Sequence, residues 1–400
     1  MKRRFQNLLS YAWSCIQRYR VRTLVVLVCL TVAAALFSSV SFLKDGLVKE
    51  GELSLRYAPD LTVQGISAGR QTFIDSQYAG IIQTIPGVRT VTERIWGYGN
   101  IGNTLLVIVG VDLETLAVDP AVAYPLESGS FLDSQHNDTV VIGRAVADLI
   151  GAEVGNVLTI LTESNQARQY KVVGIFNSES AIYNADMILM NKNDARIFFD
   201  VPEDKVTDLL VYTKDVDVLY YEAQVNYIAR EISELPNVRV VTKSVLLKAQ
   251  ETTYGARSGF FSIVWYIVLI SVAVVAFNQT VVVGHESKFE VGLLKSLGFS
   301  TSDVIQIRFI ESMTLGVIAG SIGLACGILY DTLLNAPVLR DFMLGWAVLY
   351  PRFVVPIYIS AQTIFFTFVI TTVPLLFATV VPSWINATVD PDIAMRGAKA

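Results

Sequence analysis

Few residues in this 400-residue chain have the type and spacing that catalysis needs. Its two histidines, His136 and His285, lie far apart, and the three cysteines are Cys15, Cys29 and Cys326. No His/Cys group has the spacing of a zinc site, so no metal or cofactor is expected in this chain. No Gly-x-x-x-x-Gly-Lys-Ser/Thr phosphate loop occurs, so the chain is not expected to be an enzyme that hydrolyses ATP by itself. Asp390, Asp392 and Arg396 gather charge near the end without a histidine or cysteine beside them.

Other spacings point to contacts. In residues 286–298, Phe289, Leu293, Leu294 and Leu297 share one helical stripe, while Glu286, Lys288, Glu290 and Lys295 carry charge. Gly292 lies within this stretch, Gly298 suits a helix C-terminus, and Ser300 or Ser302 can cap the helix that follows. Gly316-x-x-x-Gly320 and Gly323-x-x-x-Gly327 form two pairs with four-residue spacing in an apolar run, a spacing that lets helix backbones approach closely. Arg308 and Glu311 border that run and are costly at such depth unless paired or near the interface.

The elements that position these residues are membrane helices. The chain is 52% hydrophobic and only 17% charged, below the usual quarter of charged residues in soluble domains. A hydrocarbon core needs roughly 20 apolar residues in a helix. Four stretches satisfy this, at 23–43, 259–283, 308–330 (uncharged from Ser312 to Tyr330) and 358–380. The predicted fold is an integral membrane α-helical protein with four spans, arranged 1 + 3, and a large extracytoplasmic α+β domain at 44–257.

Orientation follows from the basic residues. Lys2, Arg3, Arg4, Arg18, Arg20 and Arg22 precede the first span without any acid, which places that end in the cytoplasm. The loop 284–307 and the tail 381–400 then lie inside, and the loop 331–357 lies outside. Residues 44–257 hold 18 basic and 28 acidic side chains, a net of −10, and the rest of the chain has a net of +5. Nucleic-acid binding is therefore not expected. Residues 1–22 read as an amphipathic interfacial arm, with Phe5, Leu8, Leu9, Ala12, Trp13 and Ile16 at helical spacing. The long basic region and 21-residue apolar run argue against a cleaved signal peptide.

Between the first two spans, strands are predicted at 61–65, 88–95, 105–111, 139–143, 157–161, 170–176 and 209–213. Phe73, Tyr78, Ile81, Ile82 and Ile85 mark one helix, and Val225, Ile228 and Ile232 mark another. Each helix runs into a similar octet, Ile85-Pro-Gly-Val-Arg-Thr-Val-Thr92 and Leu235-Pro-Asn-Val-Arg-Val-Val-Thr242. Two βαβ units of this kind commonly pair into one split sheet, and residues of about 115–205 read as a β-rich subdomain inserted between them.

The loop at 286–298 resembles the FtsX-like, MacB-type permease family of ABC transporters. Its members carry a pattern like Glu-Arg-x-Arg-Glu-Ile-Gly-Leu-Leu-Arg-Ala-Leu-Gly. This chain has Glu286, Glu290, Val291, Gly292, Leu293, Leu294, Lys295, Leu297 and Gly298 in register, with Ser287 and Phe289 where arginines are common. Pro382, Ala387, Asp390, Pro391, Ala394 and Arg396 resemble the family's closing motif, and Val109-Gly-Val-Asp112 and Val140-Val-Ile-Gly143 resemble its periplasmic core.

The resemblance implies a permease that works by mechanotransmission in the bacterial inner membrane, with both termini cytoplasmic. It implies a second permease subunit, as a homodimer or paralogous heterodimer, and a separate cytoplasmic ATPase that binds the ATP and magnesium. Residues 286–298 would be the coupling helix seated on that ATPase. The split sheet and its insert would correspond to the porter and Sabre parts. Further partners would be membrane lipid and a periplasmic adaptor or substrate protein. The function implied is export or extraction on the outer side; the alternative is control of a periplasmic enzyme such as a cell-wall hydrolase.

Overall fold

The computed structural model describes residues 2–18, 20–113, 118–134, 136–162, 166–253, 298–344 and 356–387, with Lys295 and scattered positions between 255 and 274. The chain forms two compact units, one from residues 47–253 with 344–356 and one from 1–46, 254–343 and 357–400.

The first of these is the α/β unit. Its strands are β1 (Leu61–Ser67), β2 (Arg70–Thr72), β3 (Ile74–Asp75), β4 (Val88–Ile101), β5 (Thr104–Val111), β6 (Leu126–Gly129) and β7 (Thr139–Gly143). They continue with β8 (Val157–Leu161), β9 (Ala167–Phe176), β10 (Met187–Asn191), β11 (Lys205–Val206), β12 (Asp208–Thr213) and β13 (Val238–Thr242). Eleven strands share one sheet, with the main path β13-β1-β12-β4-β5-β10-β7-β9-β6.

The sheet has two halves that meet in β4. Its first residues pair with β12, Asp208 opposite Arg94, and its later ones pair with β5, Ile95 opposite Gly110. The order β13-β1-β12-β4 interleaves two βαβ units, β1–α3–β4 and β12–α8–β13, where α3 is Gln77–Gln83 and α8 is Val218–Ser233. Alternate residues of the central strands, Leu61 and Val63 with Leu209 and Val211, are fully buried in one core with Ile82, Ile228 and Ile232 of the helices. The two octets end their helices in the same way. Thr84 N and Glu234 N both turn back onto the helix, and Gly87 and Asn237 both take a left-handed φ before the strand begins. Phe73 lies before α3, in the short segment that leads to β3, because Ile74 is drawn into a two-stranded pairing with β11.

The remaining strands form the β-rich half. β10 is fully buried and lies between parallel β5 and antiparallel β7. Short helices α4 (Pro120–Ala123), α5 (Arg144–Ile150), α6 (Ala181–Asp186) and α7 (Lys192–Phe198) connect these strands. The β4–β5 hairpin belongs to this half although it precedes residue 115. The long strand β4 carries the hydrogen-bond ladder through both halves, so the insert shares a sheet with its host.

In the helical unit, α1 (Lys2–Arg18) buries Ala12 against Ile307 of α9 (Thr301–Leu333) and leaves Trp13 exposed. Among the described residues, three helices are long and apolar enough to cross a membrane: residues 23–54 of α2 (Arg20–Ser54), α9, and residues 361–384 of α11 (Ala361–Ala387). A short helix α10 (Pro337–Leu344) lies between the last two. The predicted span at 259–283 lies mostly outside the described residues, as does the tail beyond Ala387. Helix α2 continues past the apolar run to Ser54, because nothing between Lys44 and Ser54 terminates a helix: Gly46 and Gly51 are tolerated and proline is absent.

Candidate functional site

Helix α9 is where the spans meet. Its four glycines take two neighbours in succession. A Cβ at Gly316 would stand 2.7 Å from Thr372 Oγ1, and one at Gly320 would stand 2.9 Å from the Phe368 ring, both on α11. A Cβ at Gly323 would stand 2.3 Å from Ala34 Cβ, and one at Gly327 would stand 2.3 Å from Ser38 Oγ, both on α2. No real Cβ tolerates such distances, so the missing side chains let both helices approach α9 at backbone contact.

Polar side chains are spaced along the same seam. Ser312 and Thr379 hydroxyls are 2.6 Å apart. Arg308 reaches Glu311 at 2.7 Å, and Glu311 is buried. Ser39 on α2 donates to Asp331 on α9, both buried, and Asp331 Oδ2 has no partner among the described residues. Asp45 Oδ2 accepts from Ser360 Oγ at 2.7 Å and Thr363 Oγ1 at 3.0 Å, while Ser360 caps the start of α11. Buried Thr367 and Thr371 return their hydroxyls to carbonyls one turn back, which satisfies them without a partner helix.

Sequence reasoning missed Asp45 and Asp331. An acid at each end of an apolar run reads as a loop residue until a neighbouring helix supplies a hydroxyl. The only prior signal was Ser360-x-x-Thr363, a helix-capping pattern.

Of the predicted coupling helix, Glu286, Lys288, Glu290, Gly292, Leu293, Leu294 and Leu297 lie outside the described residues. Lys295 is helical, and Gly298 has a φ of 91° where the chain turns. Between the two serines that could cap the next helix, the structure selects Ser300. Its Oγ accepts from Asp303 N, and the Asp303 carboxylate accepts from Ser300 N, a complete capping box.

In the α/β unit, the last turns of α2 from Leu47 are fastened to α6. Glu50 is 1% exposed, and its Oε1 accepts from Ser180 Oγ at 2.7 Å and Ile182 N at 3.1 Å. Ser180 is itself the N-cap of α6. The Tyr183 hydroxyl donates to Ser54 O, and Arg56 pairs with Glu179. Burial pushes the Tyr183 hydroxyl well above its ordinary range, and burial lifts the Asp186 carboxyl, at the end of α6, to about 7.

The motif Val109-Gly-Val-Asp112 also has a physical reading. A Cβ on Gly110 would meet Ala195 Cβ at 2.5 Å, so glycine lets α7 sit on β5. Asp112 and Glu93 both hold Lys192, at 2.5 and 3.2 Å. Burial alone would lower the Lys192 ammonium, but the two carboxylates outweigh it and raise it.

These features define a class of protein: apolar helices seated on one glycine-lined helix, with an α/β domain of split βαβ design carried after the first. A family model for the MacB-like periplasmic core domain matches residues 23–234, and one for the FtsX-like permease C-terminal region matches residues 262–391. The chain belongs to the FtsX-like, MacB-type family of ABC transporter permeases.

Among individual proteins, it is 24% identical over 216 residues to the lipoprotein-releasing system transmembrane protein LolC of Neisseria meningitidis, a match covering 48% of this chain and 47% of LolC. The chain thus matches about half the length of that relative. It is 22% identical over 347 residues to an ABC transporter permease of Methanocaldococcus jannaschii, covering 82% of this chain and 85% of the relative. Among solved structures, it resembles the periplasmic region of MacB from Actinobacillus actinomycetemcomitans (13% identity, 49% of this chain and 95% of that one, TM-score 0.34). It also resembles the extracellular domain of the ABC-type transporter YknZ from Gram-positive bacteria (10% identity, 46% and 99%, TM-score 0.33).

Proposed function

We propose that this chain is the transmembrane subunit of an ABC transporter, driven by a separate cytoplasmic ATPase that binds the ATP and magnesium. Two permease chains pair in a bacterial cytoplasmic membrane, with both termini inside and the α/β domain outside. Residues 286–298 dock on the ATPase, and its closure moves the α/β domain to export or extract a substrate on the outer side.

The observation that carries this reading is helix α2. It is one element of 35 residues, about 50 Å long at the helical rise and longer than the roughly 30 Å hydrocarbon core. Its final turns are locked into the α/β domain by the buried Glu50. A rigid rod anchored at its far end transmits displacement; a flexible linker would absorb it. LolC belongs to a lipoprotein-releasing system, which favours extraction of a substrate from the outer face.

The test is purification of the intact chain in mild detergent from its native host. An ABC ATPase should co-purify, and Gly292→Arg or Leu294→Arg should abolish its association while leaving the permease folded. Recovery of the chain without any ATPase, or unimpaired association in both variants, would overturn the proposal.

A further inference from the structure

The α/β domain contains two adjoining cavities of opposite character. One, of about 160 Å³, opens on the sheet face opposite α3 and α8, over Leu210 of β12 and Val109 of β5, with Tyr124, Tyr183, Tyr212 and Phe131 around it. A space of this order holds an apolar body about the size of one aromatic ring. The second, of about 240 Å³, contains Arg89, Lys214 and Lys243. The two share Tyr57, Ala58, Val118 and Tyr212 as walls, so each opens beside the other.

The charges in the two cavities are not equivalent. The carboxylates of the apolar chamber are already engaged: Glu93 and Asp112 by Lys192, and Glu179 by Arg56. In the mouth, Asp60 accepts from Thr213 N at 2.8 Å, Thr213 Oγ1 at 2.9 Å and the Tyr221 hydroxyl. Asp215 is the other acid there, on an exposed loop. By contrast, Arg89, Lys214 and Lys243 have no carboxylate within ion-pairing distance among the described residues; Arg89 lies 5.9 Å over the Tyr212 ring, and Lys243 donates to Arg56 O. Three cations thus stand together against two carboxylates, Asp60 and Asp215, which leaves the mouth a net positive charge in a segment whose net charge is −10. Arg94 Nε, in the chamber wall, is buried without an acceptor among the described residues.

We propose that this double cavity is a binding site for a small anionic amphiphile, whose apolar chain or ring fills the tyrosine-lined chamber while a carboxylate or phosphate head meets Arg89, Lys214 and Lys243. The cations confer selectivity for head charge, and the chamber confers selectivity for an apolar body. Leu53 of α2 lies in the chamber wall, so an occupant also touches the element fastened by Glu50. This site is independent of the ATPase partnership and of the identity of the transported substrate.

The intact chain in phosphatidylcholine nanodiscs is titrated with octanoate, octyl phosphate and octylamine, with empty nanodiscs as the partition control. Octanoate and octyl phosphate should bind saturably at one site per chain, and octylamine about tenfold more weakly. The exposed charge reversals Arg89→Glu and Lys214→Glu together should weaken both anions about tenfold and remove their salt dependence, while Leu210→Trp should abolish binding of all three. Inorganic phosphate should bind far more weakly than octyl phosphate; equal binding would mean a phosphate site without a chamber and would overturn the amphiphile assignment. Uptake matching empty nanodiscs, or octylamine binding as tightly as octanoate, would also overturn it. Circular dichroism and gel filtration of each variant confirm that it is folded before its loss of binding is counted.

Discussion

At the scale of single residues, two acids, the buried Glu50 and the half-buried Asp186, govern how the α/β domain holds together. Glu50 accepts hydrogen bonds from both the Ser180 hydroxyl and the Ile182 amide. Truncation to alanine strands both donors, at a cost of about 2 kcal/mol. Glu50→Ala should therefore lower the melting temperature of the detergent-solubilised chain, while Glu50→Gln, which keeps one acceptor oxygen, should lower it less. Asp186 behaves in the opposite way. Its carboxyl is lifted from 3.8 to about 7 by burial, so the fold holds its proton more tightly than the unfolded chain does. Between those values the unfolded chain has lost the proton and the fold has not, and stability falls as pH rises through that window. Asp186→Asn should stabilise the chain at pH 8 by about 1–3 kcal/mol and make no difference near pH 3, as read from melts at the two pH values.

At the scale of elements, α9 and α2 make distinct demands. The two Gly-x-x-x-Gly pairs on α9 face different helices, Gly316 and Gly320 towards α11 and Gly323 and Gly327 towards α2; the sequence separates the pairs but does not say which neighbour each one meets. Gly323→Leu places a side chain where Ala34 Cβ already stands 2.3 Å from the added atom; overpacking of this kind costs about 1–3 kcal/mol. The variant should show reduced thermal stability in detergent, whereas Gly255→Ala, which meets open space, should not. For α2 the relevant property is continuity. Val48→Pro removes a helical hydrogen bond and kinks the rod near the point where it enters the α/β unit. Basal ATPase activity of the complex should persist while export is lost; export at the original rate would show that the rod's rigidity is not needed.

At the scale of the whole molecule, the −10 of residues 44–257 and the +5 of the remainder describe a chain whose parts face different surroundings. The two units divide at Gly46 and Leu47, inside a helix, and again near Thr253. Inserting five glycines between Gly46 and Leu47, which removes no contact residue, should leave both units folded by circular dichroism and proteolysis, while coupling between nucleotide state and α/β-domain accessibility disappears. Labelling of an engineered surface cysteine with and without ATP measures that coupling.

The sequence by itself determined the apolar runs, the class of the α/β domain and the family. These depend on local periodicity and composition: twenty uncharged residues must be buried somewhere, alternating strands must have an inner face, and the paired octets end their helices by the same left-handed residue at Gly87 and Asn237. The sequence also contained the four-residue glycine spacing. Only the tertiary structure decided which neighbour each glycine meets, that Ser39 and Asp45 reach Asp331 and Ser360 across helices, and that β4 threads both halves of the sheet. Those contacts join residues separated by most of the chain, so no local pattern encodes them. The same is true of the tyrosine-lined chamber and its basic mouth. Arg89, Lys214 and Lys243 are unremarkable surface cations in sequence, and become a site only because β4, β12 and β13 lie in one sheet.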